Sequence, residues 1–150
     1  MPYATVEDMT LAFGEREMLA LTDRTVQGVI DAVLAASKLA EAEAEINGYL
    51  ARRYALPLLA VDPMLKTMAC EIARYRLTGA ETTETQPVRD RYRDALRWLE
   101  RVATGEVLLV DQAGRALGDP GQSGMGSVKT VPGRRVFDDG SLADYRFYGS

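Results

Sequence analysis

Histidine is absent from this chain, and cysteine and tryptophan each occur once. Without histidine, no side chain changes charge near neutral pH at its ordinary pKa, and the commonest metal ligand is gone. The single Cys70 forms no internal disulfide. With no histidine to work beside it, Cys70 completes neither a classical zinc site nor a Cys-His nucleophile, and Ser-His machinery is missing for the same reason. Cys70 falls within a helical pattern and is expected to pack as a small hydrophobe. No apolar run reaches the length of a bilayer span, so no membrane partner is expected. The opening Met1-Pro2-Tyr3-Ala4-Thr5 lacks the basic start and apolar stretch of a secretory signal, which points to the cytoplasm. Excess positive charge is also missing: 18 Lys and Arg against 22 Asp and Glu give a net charge of −4. That balance argues against nucleic-acid binding over the whole surface. No cofactor, metal site or catalytic constellation is expected, and the chain does not read as an enzyme.

What is present is helical up to Gly105 and irregular after it. Thr5 caps a short helix that carries Met9, Leu11, Ala12 and Phe13, and Gly14 ends it. Glu15 to Leu21 reads as a second short helical piece or a connector. Thr22-Asp23-Arg24-Thr25 is a cap cluster before the longest expected helix, about Val26 to Tyr54. Val26, Val29, Ile30, Val33 and Leu34 make its first apolar stripe. Alanine fills its middle, favouring helix and close approach of neighbours. Asp62-Pro63 starts a third helix with stripe Met64, Leu65, Met68, Ala69, Ile72 and Tyr75, stopped by Gly79. Pro87 opens a last helix with Val88, Tyr92, Ala95, Leu99 and Val102, ended by Thr104-Gly105. The fold class is all-α: a small bundle of a short N-terminal helix, a long helix and two further helices. An extended C-terminal arm carries short strand candidates at Val107 to Val110, Val128 to Val131 and Arg135 to Phe137. The expected division is a body of residues 1–105 and an arm of 106–150. The arm is flexible by composition around Gly114 to Gly126, too apolar-poor to fold alone, and so is expected to be ordered by a partner.

Two sets of residues are candidates for partner binding. The last helix repeats arginine at four-residue steps: Arg89, Arg93, Arg97 and Arg101. One reading is a solvated face partly neutralised by Asp90, Asp94 and Glu100. Another is a phosphate track. A third is a subunit interface, in which Glu41 and Glu45 of a neighbouring copy meet the arginines head to tail and the contacts close into a ring. Trp98 sits at the edge of the same helix's apolar stripe, as a core residue or an interface anchor. The second set is in the arm: Val136, Phe137, Leu142, Tyr145, Phe147 and Tyr148 suit docking on a partner's groove or sheet edge. Gly118, Gly121, Gly124 and Gly126 lack the Lys-Ser/Thr of a phosphate loop.

Several stretches resemble a family of Mu-like phage and prophage virion proteins. They are Tyr3-Ala4-Thr5-Val6-Glu7-Asp8-Met9, Phe13-Gly14-Glu15-Arg16-Glu17, and Leu21-Thr22-Asp23-Arg24. They continue with Ala44-Glu45-Ile46-Asn47-Gly48-Tyr49-Leu50, Arg53-Tyr54-Ala55-Leu56-Pro57-Leu58, Leu65-Lys66 and Cys70-Glu71-Ile72-Ala73-Arg74-Tyr75. Arg91-Tyr92-Arg93-Asp94-Ala95-Leu96-Arg97-Trp98-Leu99 and Arg135-Val136-Phe137-Asp138-Asp139-Gly140-Ser141-Leu142 complete the series. The resemblance implies a head-to-tail connector, an adaptor or head-completion protein that forms a ring at the portal and joins capsid to tail. Its implied partners are the portal protein, a stopper or tail-completion protein, and further copies of itself, with a monomer in isolation as the other state. DNA would pass through the ring without sequence-specific binding. The implied location is the head-tail junction of the virion, after synthesis in the host cytoplasm. A tail-completion or terminator ring is the alternative, and a small helical DNA-binding or regulatory protein a second one.

Overall fold

The computed structural model describes residues 2–79 and 84–118. Five helices occupy them: α1 (Val6–Phe13), α2 (Glu15–Thr22), α3 (Ala32–Leu50), α4 (Pro63–Leu77) and α5 (Gln86–Thr104). The three long helices pack on one another, and α1 and α2 lie across α3 and α4. Among the described residues there is no strand; Val110 and Ala116 form an isolated antiparallel bridge. The all-α expectation holds for these residues.

The helix starts follow the sequence closely. The Thr5 hydroxyl accepts from the Asp8 amide while the Asp8 carboxylate accepts from the Thr5 amide, a reciprocal cap. Gly14 ends α1 at φ 86 and leads straight into α2, so the second short piece is a helix. Asp62 caps α4 and Pro63 fills its first turn. Gly105 closes α5 in the left-handed region at φ 85. A Cβ there would overlap the Arg53 guanidinium, which donates to the Thr104 carbonyl at 3.0 Å. Glycine is therefore required at 105 for both backbone and space.

One helix departs from expectation. The chain from Val26 to Asp31 is not helical, and α3 begins at Ala32 and ends at Leu50. The Asp23 carboxylate accepts from the amides of Gln27 (2.9 Å) and Gly28 (2.6 Å) and folds the segment into a turn. Val26 lies at φ 55 and Gly28 at φ 72, which no right-handed helix tolerates. Asp31 then caps α3 through the Leu34 amide at 2.9 Å. The valines assigned to a buried stripe, Val26, Val29 and Val33, are instead exposed at 90%, 66% and 82%.

The core runs through the bundle centre. Met9, Met18, Ile46, Leu50, Leu65, Ile72, Leu77, Leu99 and Val102 are fully buried. Each aliphatic side chain of this kind contributes about 1.5–3 kcal/mol by leaving water. Leu109 is also fully buried and belongs to the same core, and Leu117 packs against it. The Leu109 amide donates to Tyr54 Oη (3.1 Å), and the Val110 amide donates to Asp62 Oδ2 (2.8 Å). The first part of the arm thus packs on the body, past the boundary expected at Gly105. Apolar Val107 to Val110 supplies the contact, and the sequence alone did not reveal its receiving groove.

Candidate protein-docking surface

Helix α5 lies with Val88, Ala95, Leu99 and Val102 inward. That orientation follows from their spacing and leaves its arginines outside. Arg93, Arg97 and Arg101 are exposed and Arg89 is half-buried. Local acids hold several of them: Arg89 Nε to Glu84 at 2.6 Å, Arg97 to Asp94 at 3.4 Å and Arg101 to Glu106 at 3.2 Å. The pairing with Glu84 holds that carboxyl below the usual range. Such exposed pairs are worth little each and separate readily for a better partner.

Trp98 is half-buried, packed against the core and facing a surface groove of about 530 Å³ between α4 and α5. Met64 and Met68 form much of its apolar floor, and Arg91, Arg97 and Arg101 stand at its rim. A second groove of about 450 Å³ between α1 and α4 shares Thr67, Glu71 and Arg91 with it and includes Lys66 and Cys70. Leu11, 86% exposed, stands on the edge of that second groove. Cys70 is buried, as expected of a small hydrophobe, and its burial pushes the thiol pKa up to about 11. The thiol therefore stays protonated at neutral pH and is a poor nucleophile.

Glu45 lies largely covered on the side of α3 that meets α4 and α5, and Glu41 lies at the edge of that face with its side chain 40% exposed. Arg76 of α4 reaches Glu45 at 2.8 Å and Glu41 at 3.4 Å, and Lys38 pairs with Glu41 at 2.6 Å. The Tyr92 hydroxyl donates to Glu45 at 3.1 Å while its ring stacks on Tyr75, centroids 4.1 Å apart. Burial first, and the Glu45 charge second, raise the Tyr92 pKa. The hydrogen bond to Glu45 raises that of Arg76. Both acids are thus engaged within their own chain, with an arginine the periodicity of α3 could not show. On the neighbouring face, Arg74 pairs with Glu17 and Glu71 and stacks over the Phe13 ring at 4.7 Å, tying α4 to α1 and α2.

The arm candidates Val136, Phe137, Leu142, Tyr145, Phe147 and Tyr148 lie outside the described residues. The exposed Val26, Val29 and Val33 were missed as surface residues. Their three- and four-residue spacing mimics a helical stripe, and only the Asp23 and Gly28 pair signalled a turn. Among the described residues, no group of Cys, Asp or Glu is placed to hold a metal ion. None of their helices is long and apolar enough to cross a membrane.

The family described as Bacteriophage Mu, Gp36 matches residues 3–126. The chain belongs to that family. It is 39% identical over 107 residues to gene product J of Escherichia phage Mu, covering 71% of this chain and 74% of the relative. It is 41% identical over 71 residues to the Mu-like prophage FluMu protein gp36 of Haemophilus influenzae, covering 47% of this chain and 49% of that relative. The family match takes in all five helices and the segment that carries Leu109 and Leu117, so it spans the whole packed body. The expected Mu-like phage family is therefore the right one.

Proposed function

We propose that this protein is a structural head-to-tail connector of a Mu-like phage, an adaptor or head-completion subunit that forms a ring on the portal. The observation that carries the reading is a Mu-family chain whose packed body spends its chemistry on its surface. Its grooves are open and shallow, its α5 face is rich in exposed arginine, and its acids pair with bases rather than converge on a reacting centre. Arg93, Arg97, Arg101 and Trp98 are proposed at subunit contacts. The aromatic arm residues Phe137, Tyr145, Phe147 and Tyr148 are proposed to dock on the portal. Many weak subunit contacts in a ring sum to a durable joint by multivalency.

The test replaces those four arm aromatics with alanine in the full chain. Portal capture in a pull-down is expected to be lost while the thermal melt of the body is unchanged. DNA-filled heads without tails are expected in a phage carrying the variant. Normal tailed particles would refute the role. Salt-sensitive retention of duplex DNA by the purified protein would instead favour a DNA-binding protein using the α5 arginines.

A further inference from the structure

The chain between α2 and α3 carries two competing start signals for a helix. Val26, Val29, Ile30 and Val33 recur at helical spacing, with the Thr22–Thr25 cap cluster before them. The structure starts α3 at the later signal, Asp31. The residues before it fold into a turn on the Asp23 carboxylate, with Val26 at φ 55 and 90% exposed. A β-branched residue in the left-handed region is strained, and no burial of its own side chain offsets that strain. Gly28, at φ 72, suits the turn and weakens a helix. Val26 thus disfavours the observed turn, and Gly28 disfavours the alternative helix.

The two states place α1 and α2 differently. In the turn, Thr22 Oγ1 accepts from the Asp31 amide at 3.1 Å, so α2 ends beside the start of α3. A helix over residues 23–31 separates those ends by roughly 13 Å and lifts α1 and α2 off their own body. Their seat on α3 and α4 is specific. Met9 and Met18 are fully buried there, Asp8 pairs with Lys66 at 2.8 Å, and Arg74 pairs with Glu17 and lies over the Phe13 ring. The Tyr3 hydroxyl donates to Asn47 of α3. A released α1–α2 pair exposes both methionines, and the surface that fits it is the same seat on another copy.

We infer that α1 and α2 are exchanged between neighbouring copies of this chain, with residues 23–31 as a hinge that winds into an extension of α3. The closed structure itself fixes the occupant, because the same side chains meet in the exchanged form. Each seat contact is recovered, so the balance is set by the hinge and by the local concentration of neighbours. Strained hinge loops invite such exchange. The inference rests on the proposed ring, where copies stand side by side, and names the element they share.

The experiment mixes two full-length variants, Glu17→Arg and Arg74→Glu. Each alone sets like charges across its own seat, and exchange between them restores opposite charges. The mixture is expected to sediment as a hetero-oligomer and to melt about 4 °C above either variant alone. The hinge supplies a second measurement on the otherwise unaltered chain. Gly28→Ala removes the residue that suits the turn and is expected to tighten self-association by roughly tenfold. Asparagine tolerates the left-handed region, so Val26→Asn is expected to loosen self-association by roughly fivefold. Absence of a hetero-oligomer in the mixture overturns the exchange. So do hinge variants that leave association unchanged or shift it the opposite way. Portal capture by the wild type in those cases keeps the connector reading. Loss of portal capture beside a formed hetero-oligomer removes that reading and leaves the exchange standing.

Discussion

Single residues at the ends of elements hold this fold in register. Gly105 allows α5 to stop where Arg53 crosses it. Gly105→Ala is expected to destabilise the protein by about 2 kcal/mol, about half from the left-handed backbone and half from displacing the guanidinium, read as a lower urea midpoint. Asp8 serves the α1 cap and also accepts from Lys66 of α4 at 2.8 Å. The Lys66 hydrogen bond first, and the Thr5 amide next, hold the Asp8 carboxyl below its ordinary 3.8. A carboxyl lowered on folding stabilises the native state fully above its unfolded pKa, and the contribution is lost as pH falls through the folded value. The α1–α4 contact is therefore expected to weaken below about pH 4, and Asp8→Asn to flatten that part of the acid-unfolding curve. Caps of this kind were legible in advance: Thr5, Gly14, Asp62-Pro63 and Gly105 each announce a boundary by a local rule. Asp8's reach to Lys66 was not, because it joins residues far apart in the chain.

At the scale of elements, α5 is the helix whose two faces differ most in consequence. Leu99 is fully buried and Arg93 is exposed on the same helix. Leu99→Ala is expected to cost about 3 kcal/mol from transfer and cavity terms, whereas Arg93→Ala changes stability by less than about 0.5 kcal/mol. Equilibrium unfolding of the two variants separates the faces. The amphipathic reading of α5 from sequence holds because its apolar positions are punctuated by charge, and that of α4 holds except at Met64, which stands in the first turn and is 44% exposed rather than part of the core. Helix α3 was harder to bound. Val26, Val29 and Ile30 keep helical spacing with Val33 of α3 although residues 26–31 are not helical, so periodicity ran past the true start by six residues. Local turn chemistry at Asp23 and Gly28 outweighed the pattern. The same ambiguity hid the exposed valines, since a stripe that faces nothing looks in sequence like one that faces the core.

For the whole molecule, the decisive connection is Asp62. Its carboxylate is buried and serves two elements, accepting from the Met64 amide at 2.7 Å to start α4 and from the Val110 amide at 2.8 Å to hold the chain after α5. Asp62→Ala is expected to cost about 2–3 kcal/mol, a lost cap plus an orphaned amide. Hydrogen exchange at Val110 and Leu109 should accelerate more than exchange in the middle of α3. The route by which a load travels follows from this anchorage. Tension applied beyond Gly118 meets Leu109 in the interior and the Asp62 clamp before it can reach the end of α5. A pull on the trailing chain is thus borne first by this anchorage and reaches α5 only after Leu109 has left the interior.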